Sequence, residues 1–257
     1  MQFLKLYNFV AFLLTTTGHG VLAAPTNSAV SCAGFDFRED GGRSLCSQEA
    51  AYKWDGESTT VKQGHDTSST CDHVLEISVA VKVIRTRFCP GMDGSKTLTD
   101  QEKTSSLKKL RQIINAGVPS QQRNTFFVTT ASEQVKGRAV QRWLKDRVFK
   151  ATMFVNSEKT SANLKASYSP QKLIAVGNYL SKTEANSVKV GNLIDNALAA
   201  EAAKIYVIEQ KKGKFSLAAG KSTKDTWGAF LEWYKEVVMA AEADMNSGAQ
   251  VSNSGQK

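Results

Sequence analysis

The stretch "STCDHVLEISVAVKVI", residues 69–84, decides how this chain is read. Its second half is apolar and rich in β-branched side chains, the composition of a segment that becomes buried. Its entry sets a thiol, a carboxylate and an imidazole in succession: Cys71, Asp72 and His73. Val74, Ile77, Val79, Val81, Val83 and Ile84 alternate loosely. That pattern fits a strand or a buried helix, and the branched content favours the strand. Neighbours on a strand point to opposite faces. Asp72 and His73 can therefore serve one site only at a strand end, where twist or a bulge turns both toward it. The pair stands at such an end. An imidazole can move protons near neutral pH, and an aspartate is an oxygen ligand for a divalent cation. On the pair alone, a half-buried histidine beside a disulfide outweighs catalysis.

Downstream, "TDQEKTSSLKKLRQIINAG" predicts a helix over about 99–116. Thr99 or Asp100 can cap it, Leu107, Leu110, Ile113 and Ile114 share a face, and Gly117 and Pro119 stop it. "NTFFVTT", 124–130, reads as a short strand. Ser132 then caps a long amphipathic helix with Val135, Ala139, Val140, Trp143, Leu144 and Val148 inward. Two further helices are expected over 171–181 and 184–204. "KIYVIEQKKGKFSLA", 204–218, reads as a hairpin around Lys212-Gly213. A last helix over 224–245 buries Trp227, Leu231, Tyr234 and Val238, and residues 246–257 are too polar to fold. Upstream, 25–68 reads as irregular.

The N-terminus predicts the compartment. Lys5, the apolar "LYNFVAFLL" and the small residues of "GVLAAP" have the layout of a secretory signal peptide over 1–24. Its apolar core is too short to span a bilayer, and no later stretch reaches that length, so a secreted chain with no membrane association is expected. Residues 25–245 then form a single domain: a stapled part over 25–98, a central element over about 70–150, and a helical and hairpin part over 151–245. Cys32, Cys46, Cys71 and Cys89 are even in number, as a disulfide framework requires. Three pairings are possible, and the short loops favour Cys32–Cys46 with Cys71–Cys89. No C-x-x-C pair supports a zinc ribbon. The chain carries 33 Lys+Arg against 24 Asp+Glu, a net +9. Such a balance points to an acidic partner: nucleic acid, anionic lipid or a wall polymer. Charge for solubility alone is the plainer alternative.

The segment "RNTFFVTTASEQVKGRAV" places an asparagine before a short strand, a turn and a basic helix. Together with D-H at the earlier strand it resembles the HNH, or ββα-metal (His-Me finger), nucleases. More narrowly, "CDHVLEI…NTFFVTTASEQVKG" is similar to secreted proteins of filamentous fungi that carry D-H-[VI]-x-E-[LI] and, later, N-x-F-x-V ending in N-x-x-K-G. The resemblance spans roughly residues 70–140. It implies an α+β fold, with a small β-sheet holding a ββα-metal-like element among several amphipathic helices.

The same resemblance implies roles for individual residues. His73 would be the base that activates water against a phosphodiester. Asp72 would bind the metal, Asn124 would orient the loop and the ring, and Lys136 would touch a phosphate. At Glu133 the pattern has asparagine instead. Glutamate suits a hard cation such as Mg²⁺ or Ca²⁺, and equally suits the positive end of a helix. Arg138, Arg142 and Lys145 form a basic stripe opposite Trp143, which fits a phosphate track or a solvated face. Phe126 and Phe127 fit core packing better than base stacking. The expectation is a secreted, metal-dependent nuclease-like protein acting on RNA or DNA, as an effector or toxin. The alternatives are an inactive secreted effector that binds nucleic acid or another acidic partner, and a binder of extracellular wall polymer.

Overall fold

The computed structural model describes residues 30–38, 51–54, 59–62, 69–118, 122–146, 148–160, 169–209 and 215–253. The predicted signal peptide, Cys46 and the centre of the predicted 204–218 hairpin lie outside the described residues. Among the described residues the fold is predominantly helical, with seven helices: α1 (Ile77–Arg87), α2 (Cys89–Gly94), α3 (Asp100–Ala116), α4 (Thr130–Lys145), α5 (Ala151–Thr160), α6 (Pro170–Glu209) and α7 (Thr223–Asn253). The expected α+β class with a sheet at its centre is thereby corrected. The strands are only two to five residues long: β1 (Ala51–Trp54), β2 (Thr59–Lys62), β3 (Ser69–His73), β4 (Gly117–Val118), β5 (Gln122–Arg123) and β6 (Thr125–Thr129). β3 and β6 pair antiparallel, with Asp72 opposite Phe126 and His73 opposite Thr125. The core is built by the helices.

The stretch that opened the sequence reading accounts for most of the correction. Only Ser69–His73 is strand, and the apolar run that follows is α1. Ile77, Ala80, Val83 and Ile84 recur at helical spacing, and with Val79 all are buried. Branching costs each residue at most about 0.7 kcal/mol of helix propensity. Burial of each large apolar side chain contributes about 1.5–3 kcal/mol. Burial therefore decides, and it is available because helices surround α1.

The two expected helices over 171–181 and 184–204 are one 40-residue helix, α6. Thr183, at the expected break, is buried and donates its hydroxyl to the Tyr179 carbonyl at 2.8 Å, within the helix. The expected hairpin is also corrected, because residues 204–209 continue α6 and 215–218 are irregular. Ala218 instead closes the end of α1, donating its N–H to the Arg87 carbonyl at 2.8 Å. Phe215 packs so closely on Gly91 that a Cβ there would lie 2.6 Å from its ring. α7 runs on through 246–253, where the sequence predicts an unfolded tail.

α7 supplies the centre of the core. Trp227, Phe230, Trp233 and Tyr234 are buried; Phe230 meets Trp143 of α4 edge-on, and Trp233 meets Phe154 of α5 in the same way. The N-terminal segment is tied down by a Cys32–Cys89 disulfide and by Asp93, whose carboxylate accepts the N–H groups of Cys32 and Ala33 at 2.6 and 3.1 Å. This pairing corrects the expected Cys32–Cys46 and Cys71–Cys89. Cys71 is also disulfide-bonded, its partner lying outside the described residues. No described helix is long and apolar enough to cross a membrane.

Candidate functional site

β3 delivers Asp72 and His73 to the junction of α1, α4 and α6, and Asn124 sets the turn that follows them. Asn124 is fully buried. Its backbone carbonyl accepts the Val74 N–H at 2.8 Å, and its side-chain oxygen accepts the Leu75 N–H at 2.9 Å. Its amide donates to the carbonyls of Leu75, at 3.1 Å, and Ile114, at 2.7 Å. Both ends of the side chain are thus committed to backbone. Asn124 is a staple between the turn after β3 and the end of α3.

Asp72 turns inward and is 3% exposed. Its Oδ2 lies 2.5 Å from the Lys136 ammonium and accepts the Tyr179 hydroxyl at 2.9 Å. Lys136 is 1% exposed and also donates to the His73 carbonyl. Glu76 stands 3.7 Å from the same ammonium, and Arg38 stands 3.7 Å from the other oxygen of Glu76. Burial raises the Glu76 carboxyl above the usual range, against the pull of Lys136. Tyr179 is pushed well up by burial and by the Asp72 carboxylate, so its proton stays in place as a donor. Lys136 is therefore no phosphate contact. Its charge is consumed inside the protein.

His73 sits at the edge of this cluster. Burial lowers its imidazole to about 4; Asp72 opposes the shift, and Lys136 and Arg38 add to it. The ring is neutral at pH 7. It bonds to the Asn115 backbone, while Nε2 is buried without a partner. Glu133, half-buried in the first turn of α4, is raised chiefly by burial and next by the Asp72 charge.

The expected metal ligands Asp72 and Glu133 do not find a third. Among the described residues no group of three or more His, Cys, Asp or Glu side chains is arranged to hold a metal ion. An ammonium already occupies the carboxylate of Asp72. A divalent ion there would have to displace Lys136 and meet its repulsion, so the donor set does not fit Mg²⁺.

The basic stripe divides in two. Arg138 is engaged by Glu158 of α5 through three contacts of 2.7–3.1 Å. Arg142 lies 4.6 Å over the Phe149 ring, and Lys145 is exposed. Among the described residues neither Arg142 nor Lys145 forms an ion pair. With Arg138, Gln141 and Ser157 they line an open groove of about 360 Å³ between α4 and α5. The side chains of Phe126 and Phe127 lie outside the described residues.

Sequence reasoning missed Tyr179, Glu76 and Arg38 and misplaced Lys136. A signal for Lys136 was present: it stands four residues before Val140 and seven before Trp143, on the apolar face of α4. A lysine at such a position requires a buried counter-charge. No family model, no curated protein and no solved structure matches the chain, so its function is argued from these residues.

Proposed function

We propose that the protein is an exported nucleic-acid binder that engages phosphates through the α4–α5 groove, with Asp72, Lys136 and Tyr179 as its internal lock. One observation carries this reading. Among the described residues Arg142 and Lys145 face the groove without a carboxylate partner, while Arg138 and Glu158 beside them cancel. The groove therefore keeps two uncompensated positive charges on one helix turn. Arg142, stacked on Phe149, presents a planar fork to an incoming phosphate. The overall +9 charge adds long-range attraction.

The test is binding of fluorescently labelled single-stranded RNA and DNA, followed by anisotropy at several salt concentrations. The double variant R142E/K145E is expected to bind much more weakly, with the salt slope reduced by about 2. Unchanged affinity in that variant refutes the groove as the contact surface. Cleavage of RNA or DNA with Mg²⁺, lost on chelation and in H73A, would reinstate the hydrolytic reading. Failure to bind nucleic acid, with co-sedimentation on insoluble wall polysaccharide, would move the partner to a wall polymer.

A further inference from the structure

A second cavity, of about 400 Å³, opens between the 36–38 segment, the outer face of α1 and Leu144 of α4. It shares no lining residue with the α4–α5 groove. Small-molecule sites commonly fall between about 300 and 1,000 Å³. The walls of this one divide by chemistry. Phe37, Val81 and Leu144 make an apolar body. Ser78, Lys82 and Arg85 stand at i, i+4 and i+7 and so form one polar stripe along α1. Arg38 adds a third positive charge from the facing segment.

Two details separate this stripe from an ordinary solvated helix face. Ser78 lines the cavity, and its hydroxyl is buried without a hydrogen-bond partner among the described residues. Buried polar atoms are almost always satisfied, so an orphan in a cavity wall points to a ligand atom. The second detail is the charge balance. Asp36 is the one acid among the described lining residues, and its carboxylate is turned onto the Arg38 N–H at 2.9 Å. Arg38 is paired with Glu76 at 3.7 Å, so Lys82 and Arg85 are the two cations of the cavity without a carboxylate partner among the described residues, and they stand beside an apolar wall.

We propose that this cavity binds a small amphipathic carboxylate. Its carboxylate would lie along Ser78, Lys82 and Arg85, with Arg38 opposite, and its apolar body against Phe37, Val81 and Leu144. A charged group alone would leave that wall wet, and an apolar molecule alone would leave the Ser78 hydroxyl and the Lys82 and Arg85 charges unanswered.

The probe is decanoate, titrated below its micellar concentration by calorimetry, with acetate as the charge without the body. Decanoate is expected to bind saturably and acetate at least about tenfold more weakly. The exposed pair K82E/R85E is expected to lose at least about tenfold in decanoate affinity, because charged hydrogen bonds are removed. V81K fills the apolar wall while adding positive charge, and is expected to weaken decanoate as well. Both variants should keep the wild-type far-UV dichroism. Equal binding of acetate and decanoate, undiminished binding in K82E/R85E, tighter binding in V81K, or no saturable binding at all would each overturn the proposal.

Discussion

Lys136→Met is the most direct test of the internal lock. Methionine keeps the unbranched stem in its apolar surroundings and removes the ammonium. Asp72 then remains 3% exposed, with the Tyr179 hydroxyl as its one side-chain donor among the described residues. Removing one partner of a buried ion pair costs about 3–5 kcal/mol, because the other charge stays behind. That is a large share of a typical domain's total stability of about 5–15 kcal/mol.

The assay is urea unfolding followed by tryptophan fluorescence, which Trp143, Trp227 and Trp233 report because all three are buried. Adding Asp72→Asn removes the stranded charge and should restore part of the loss. A Lys136→Met variant that loses less than about 1 kcal/mol at pH 7, or one that Asp72→Asn fails to rescue, refutes the reasoning.

Two further outcomes follow from burial and packing. His73 should titrate by NMR near about 4 instead of near the ordinary 6.5. Because its folded value lies below its unfolded one, the stability it contributes is lost as pH falls from about 6.5 toward 4, by up to about 3 kcal/mol; a midpoint near 6.5 would sink this. Gly177→Ala should destabilise by about 1–3 kcal/mol, since its Cβ would lie 2.2 Å from Val238 Cγ2. Gly137→Ala, whose Cβ would meet nothing within 4 Å, should stabilise by about 0.5–1 kcal/mol through helix propensity. Thermal unfolding of the two variants side by side reads both signs, and equal shifts would contradict the packing of α6 on α7.

Local chemistry was legible where it closes on itself. The cap of α3 stands where the sequence placed it. Thr99 and Glu102 form a reciprocal box, with the Glu102 carboxylate accepting the Thr99 N–H at 2.9 Å and the Thr99 hydroxyl accepting the Glu102 N–H at 3.2 Å. The apolar stripes of α4 and α7 also predicted most of their buried faces, but Val148 lies past the end of α4 and is 86% exposed, because the helix stops at Lys145. What failed depended on surroundings. Branched residues in α1 were weighed by propensity, yet that term is a few tenths of a kcal/mol per residue beside the burial that overrides it. Lys182-Thr183 looked like a break, because sequence does not reveal that the helix will find a continuous partner in α7. Disulfide pairing likewise depends on which segments dock. Asp93 holds the backbone of Cys32 beside Cys89, and nothing in the spacing announces it.

The residues of the site failed for a related reason, and the failure is informative about α4. Read as a list, Lys136, Arg138, Arg142 and Lys145 are four cations of one kind. Wound into a helix they separate into three states. Lys136 falls on the apolar face and is spent on Asp72, where losing water is offset by a short contact, a tyrosine donor at the same oxygen and a carbonyl beyond. Arg138 faces α5 and is spent on Glu158. Arg142 and Lys145, a turn later at the negative end of the helix dipole, keep their charge for solvent or a partner. A cation bound inside cannot also hold a phosphate, so the two roles must fall to different residues of the same helix. Substitutions on the inner face should therefore move stability and leave the salt dependence of binding alone, and substitutions on the outer face should do the reverse. A variant such as Lys136→Met that kept full stability but lost nucleic-acid affinity would show that this division is wrong.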